Sequence, residues 1–245
     1  MFGPMDTRLT LLLAVAAPWL LSGPAAAEEL NPPAHTAFVL SDAELAARLD
    51  FLAERLDAGR PSALAWQWGW TGIYSIGFAL SFTDAVRADD GDDRVRAIVD
   101  AAKSGLATMQ TVALLRDPLA ATLGAQPMRE VQGNDRAARM QRLALGERQL
   151  LMSAARAETR YSLKRHLVTI GANLLGGAAI YALGDAGDAV RSTLVGIGVG
   201  EAQIWSQPWR ATADLREYRA SFGDTVGKGQ NPRSTGMGVS LAFQF

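Results

Sequence analysis

Five polar residues interrupt segments of this chain that are otherwise apolar or built of small residues: Asp100, Lys103, Asn173, Glu201 and Gln203. Buried without a partner, each would cost roughly 2–7 kcal/mol, and an ionised one more. A Glu201–Lys103 pair between corresponding helices would satisfy both charges. The alternative is that the set orients a ligand in a cavity between helices. Of the two histidines, His166 is flanked by Lys164 and Arg165 and reads as a polar residue at a helix junction, while His35 sits in an extended leader.

Other chemistry is thin. The absence of cysteine rules out disulfides, thiolate nucleophiles and cysteine-ligated metals. There is no H-E-x-x-H, G-x-S-x-G or S-x-x-K arrangement. Gly223 to Gly229 is too short for a phosphate loop, and Gly196-x-Gly198-x-Gly200 misses the dinucleotide spacing. The acidic run Asp89 to Asp93 lacks the distal glutamate of a calcium loop and reads as a solvated turn. No acid, base and nucleophile converge, so the expectation is a non-enzymatic protein without cofactor or metal.

The elements that must position these residues are helices. Ser41-Asp42-Ala43-Glu44 has the spacing of a capping box, and Leu45, Leu49, Leu52 and Leu56 follow as one apolar stripe that Gly59 ends. Pro61 and Ser62 start a second element, uncharged to Thr83. Its large even-numbered residues, Trp66 to Phe82, alternate as in a strand. Ala65, Gly69, Gly72, Ala79 and Thr83 form a small-residue stripe at helical spacing, and the helix is favoured. A helix follows to about Arg116, stopped by Asp117-Pro118. Residues 118–134 form the main loop, and 135–165 the strongest helix, running on into a second uncharged stretch, Leu167 to Gly184. After a turn at Asp185 to Asp188 come a helix over 189–207 and a short amphipathic one over 211–220.

The two halves echo each other. Gly72 and Gly77 fall opposite Gly171 and Gly176, Asp93-x-Val95-Arg96 opposite Asp188-x-Val190-Arg191, and Gly105 opposite Gly200. The expected fold is therefore all-α: a helical bundle of two similar Gly-rich hairpins, with pseudo-repeats at about 61–117 and 160–209, forming one domain over 28–245. The tail over 221–245 reads as mobile, ending in a short β-like segment.

Export is expected. Arg8, the 13-residue apolar run Leu9 to Leu21, and Ala25-Ala26-Ala27 have the layout of a signal peptide over 1–27. A net charge of -1 gives no global attraction to nucleic acid, and none is expected as a partner. The partner expected is a membrane or an envelope protein, with a lipid as the alternative in a periplasmic module that binds an apolar ligand.

Hydropathy leaves the uncharged stretches marginal as membrane spans. Their small-residue stripes and the charges on partner helices place them at the close-packed centre of the bundle. Residues 129–165 carry nine Lys and Arg against four Asp and Glu, the cytoplasmic bias expected if both stretches spanned singly. Last, the alternating Gly236 to Phe245 resembles the final strand of bacterial outer-membrane barrels. That resemblance implies an assembly signal read at the terminal phenylalanine, and an outer-membrane location, for these ten residues alone.

Overall fold

Residues 40–88, 91–116 and 119–223 are described in the computed structural model, and among them all regular structure is α-helical. The leader with His35, the signal-peptide segment, Asp89-Asp90, Asp117-Pro118 and the C-terminal tail with its barrel-like strand lie outside the described residues. In chain order the helices are α1 (Asp42–Arg87), α2 (Asp92–Arg116), α3 (Ala120–Leu123), α4 (Gln126–Arg129), α5 (Arg136–Arg160), α6 (Leu163–Leu183), α7 (Ala186–Trp205) and α8 (Arg210–Phe222).

The caps explain several starts. Ser41 Oγ accepts from the Glu44 amide at 3.1 Å, Asp135 from Ala138 at 2.8 Å and Asp185 from Asp188 at 3.0 Å. Each satisfies a backbone donor that the first helical turn leaves open. The reciprocal half of the expected capping box is absent, because the Glu44 carboxylate turns instead to Arg48.

The expected break at Gly59 to Pro61 does not occur. α1 is one helix of 46 residues with Pro61 inside it. A proline there removes a backbone donor and normally breaks the helix. Contacts from elsewhere hold this turn together: Arg60 Nε donates to the Thr122 carbonyl at 3.1 Å, and the Ala125 amide donates to Asp57 Oδ1 at 3.0 Å. Ser62 Oγ also donates to the Gly59 carbonyl at 2.9 Å. The expected loop over 118–134 thus contains two single-turn helices that brace α1. Gly124, at φ +59, makes the reversal between them, a backbone region that favours glycine.

The first half of α1, the bracing turns, α5 and α8 share one apolar core. Leu45, Leu52, Leu56, Met128, Leu143, Leu150, Leu215 and Tyr218 are all buried there. Arg48, also buried, lies within reach of Glu44, Glu147 and the Phe222 carbonyl.

The remaining four helical segments form a second region, an arm. α2 runs antiparallel to the second half of α1, with Gln67 against Leu114 and Gly77 against Ser104. α7 runs antiparallel to α6, with Gly200 against Thr169 and Gly177 against Thr193. α2 in turn packs on α6 and α7 around Val99, Ile180 and Ala189. The helix expected to run through 135–165 breaks at Tyr161 and Ser162, so α6 starts afresh at Leu163.

The arm inverts the usual arrangement of side chains. Facing inward are Gln67, Thr71, Thr111, Ser192 and small residues such as Ala97, Ala101 and Gly177. Facing outward are Trp68, Ile76, Leu80, Phe82, Leu174, Tyr181 and Leu194, several of them more than 60 % exposed. The uncharged stretches therefore do not form a close-packed centre. Gly69 and Gly72, from the expected small-residue stripe, have nothing within 4 Å of where a side chain would begin. Among the described residues α6 is the one helix long and apolar enough to cross a membrane, and its most apolar stretch is only 11 % buried.

Candidate functional site

Polar contacts line the interior of the arm at three levels, and the residues singled out from the sequence fall at two of them. At its far end the start of α2 meets the α6–α7 turn and the start of α7, where Arg96 Nε donates to Asp188 Oδ2 at 3.1 Å. Midway, Asp100, Lys103 and Ser192 form a triad. Ser192 Oγ donates to Asp100 Oδ1 at 2.5 Å, while Lys103 Nζ donates to Ser192 Oγ at 2.9 Å and to Asp100 Oδ1 at 3.3 Å. Asn173 borders this level: its Nδ2 donates to the Thr169 carbonyl at 2.9 Å, and its Oδ1 lies against Gly196. A methyl at Gly196 would overlap Asn173 Oδ1, so this glycine is what admits the amide between α6 and α7.

At the base of the arm, His166 Nδ1 lies 2.7 Å from Glu201 Oε2, and the imidazole packs 5.6 Å from the Trp205 ring. The second carboxylate oxygen, Glu201 Oε1, is buried with no hydrogen-bond partner. Gln203 contributes its backbone: its carbonyl accepts from Trp66 Nε1 at 3.2 Å, tying α7 to α1. The expected Glu201–Lys103 pair is thus replaced by two separate contacts. Lys103 lies level with Ser192, and nine residues of helix, about 13 Å of rise, separate Ser192 from Glu201.

The triad has the composition of a serine–lysine nucleophile but the opposite proton direction. An activated serine needs a base that accepts its proton, whereas here the hydroxyl donates to a carboxylate and receives a hydrogen bond from the ammonium. With Ser192 buried, the geometry joins α2 to α7. Among the described residues no three His, Asp or Glu side chains gather to hold a metal ion.

Two features go beyond the sequence reading. The five tryptophans of the described residues, at 66, 68, 70, 205 and 209, all fall where the arm leaves the bundle. There Trp66 bonds to α7, and Trp70 Nε1 donates to Ser206 Oγ at 2.9 Å. Cationic groups crowd the same level: Arg160 lies 5.7 Å over the Trp66 ring. Burial, with the like charges of Arg165 and Arg156 close by, pulls the Arg160 guanidinium down to about 9. The second feature is the core contact of Glu147 with Tyr218 Oη, which donates to its carboxylate at 2.5 Å across 71 residues of sequence. The Trp205-Ser-Gln-Pro208-Trp209 turn was readable as a membrane-interface element or a cap on the core, and folding adds that Trp66, Trp68 and Trp70 fall at the same level.

No protein-family model, curated protein or solved structure matches this chain.

Proposed function

We propose that this is an exported envelope protein with a structural or interaction role rather than a catalytic one, whose apolar arm is embedded in a membrane while the bundle stays in water. The observation that carries the reading is the inverted arm. Its seams hold hydroxyls, amides, ion pairs and glycines around a small apolar cluster of Val99, Ile180 and Ala189, while most of its large apolar side chains point away from the protein. Helix association within lipid uses small residues and interhelical hydrogen bonds in this way, because lipid tails are as apolar as leucine. In water the same surface would be an exposed apolar area of a kind monomeric proteins rarely carry.

The ends of the arm support the same reading. Tryptophans at its base suit the headgroup level of a bilayer, and the basic groups of α5 and α6 beside them suit anionic lipid. The 17 residues from Leu167 to Leu183 rise about 26 Å, close to the hydrocarbon thickness of a bilayer. The positive region 129–165 lies on the bundle side together with both ends of each hairpin, so the arm inserts as two hairpins rather than two single spans.

The hairpins themselves read as one unit used twice. Gly105 and Gly200 each face the partner helix of their own hairpin, and Gly72 and Gly171 are both open, whereas Gly77 faces its own partner α2 and Gly176 faces the α2 of the other hairpin.

Liposome flotation tests the membrane reading. The full chain is expected to float with vesicles containing anionic lipid and to resist extraction by high salt. Replacing outward Leu174 and Leu194 by Asn should weaken flotation while leaving the melting temperature in detergent unchanged. Release of the protein from cells by osmotic shock, without detergent, would sink the reading.

A further inference from the structure

Where the arm meets the bundle, α1, α5 and α8 enclose a cavity of about 60 Å³. Its apolar lining comes from Leu56, Ala63, Trp66 and Leu150. Its charged lining is Arg55, Arg156, Arg210 and Asp214. Asp214 Oδ2 accepts from Arg210 Nε at 3.2 Å, and its other oxygen lies 3.8 Å from Arg55, which also holds Glu217 at 2.6 Å. Each guanidinium carries five N–H donors, so these contacts leave donors at both arginines for a further acceptor. Gln207 also lines the cavity. It is 8 % exposed, and its side-chain Oε1 is buried with no hydrogen-bond partner, an unusual state for a native polar group.

We propose that this cavity binds the anionic end of an amphiphile, a carboxylate or phosphate carried on an alkyl chain. The arginines take the charge, the Gln207 amide turns over so that its Nε2 donates to the same head group in place of the orphaned Oε1, and the apolar lining takes the first methylenes. A space of this size holds only a few waters, so it accepts a head and a short run of chain rather than a whole lipid. The site deepens the membrane reading, on which it rests for the source of the ligand, since the cavity opens at the level of the tryptophans.

Native mass spectrometry of the full chain, released from a neutral detergent, tests the site with dodecanoate, dodecyl phosphate, dodecyl maltoside and inorganic phosphate as probes. Both anionic amphiphiles should form a one-to-one adduct. Dodecyl maltoside binding equally well would overturn the anionic requirement, and inorganic phosphate binding equally well would overturn the amphiphile.

Gly59 lines the cavity, and a side chain begun there meets nothing within 4 Å. Gly59→Leu should therefore fill the cavity without lowering the melting temperature, and cut adduct formation at least tenfold. Arg210→Gln should weaken binding about tenfold, the size of one charge-assisted contact. An undiminished adduct in Gly59→Leu would overturn the site. Flotation separates the two readings: wild type that fails to float removes the membrane source, whereas a floating Gly59→Leu variant with an intact adduct removes only the cavity.

Discussion

His166 and Glu201 close the base of the arm, their ring nitrogen and carboxylate 2.7 Å apart across the α6–α7 interface. The pair is partly buried, and removing either partner strands the other. Glu201→Ala should therefore destabilise the protein by about 1–3 kcal/mol, and Glu201→Gln, which keeps an oxygen for the imidazole, by less. Thermal melts in one detergent compare the two; equal losses would show that the contact contributes nothing specific.

The Asp100–Lys103–Ser192 triad should behave as a coupled unit. Ser192→Ala removes an acceptor from Lys103 and a donor to Asp100 together. Asp100→Asn leaves the ammonium without its charge partner, so its loss should be the larger, a few kcal/mol at most because both charged groups are about a quarter exposed. A double-mutant cycle between positions 100 and 192 should give a coupling of about 0.5–3 kcal/mol. A coupling of zero would show that the two residues act independently.

Glycines of the arm should respond to substitution in opposite directions. At Gly177 an added methyl would overlap Thr193 Oγ1 and stand 3.3 Å from the Ala189 carbonyl, so Gly177→Ala should cost about 1–3 kcal/mol. At Gly171 it would meet nothing within 4 Å, so Gly171→Ala should stabilise the helix by up to about 1 kcal/mol. Paired melting curves check the signs.

Acid should favour the bundle through two carboxylates. Burial holds Glu147 above the usual carboxylate range, against the opposing pull of Tyr218 and Arg48. Burial raises Asp214 likewise, against Arg210 and Arg55. A raised folded-state value means that the folded chain holds the proton more tightly than the unfolded chain does. The resulting stability is full below the ordinary carboxylate value and is lost as pH rises through the raised one. The stability difference between wild type and Glu147→Gln should therefore shift toward wild type as pH falls from 7 to 4. A flat or opposite trend would falsify the assignment.

Local signals in the sequence were enough to find helices and a cap. Ser41 was readable because a cap acts within three residues, whereas Asp135 read as the first residue of its helix and Asp185 as part of a turn, and both are caps. The continuity of α1 was not readable. Gly59-Arg60-Pro61 carries every local mark of a helix end, and what overrides it are contacts of Asp57 and Arg60 with residues more than sixty positions away. Of the polar set, Asp100, Lys103, Asn173 and Glu201 make side-chain contacts within the arm, and Gln203 contributes its backbone carbonyl. Their pairing was misassigned because helix register, which puts Lys103 beside Ser192, is a tertiary property. The cavity residues were invisible for the same reason: Arg55, Arg156 and Gln207 come from three distant segments, none with a distinctive neighbourhood.

An unbroken helix has a single azimuthal phase, and α1 threads both regions of the protein. The stripe that buries Leu45, Leu52 and Leu56 in the bundle continues, past Pro61, as the stripe that buries Ala63, Gln67 and Thr71 in the arm. The bundle core thereby sets the rotational setting of the arm. One residue inserted between Leu56 and Ala63 would turn the distal half by about 100°, carrying Gln67 and Thr71 off the seam and bringing outward residues into it.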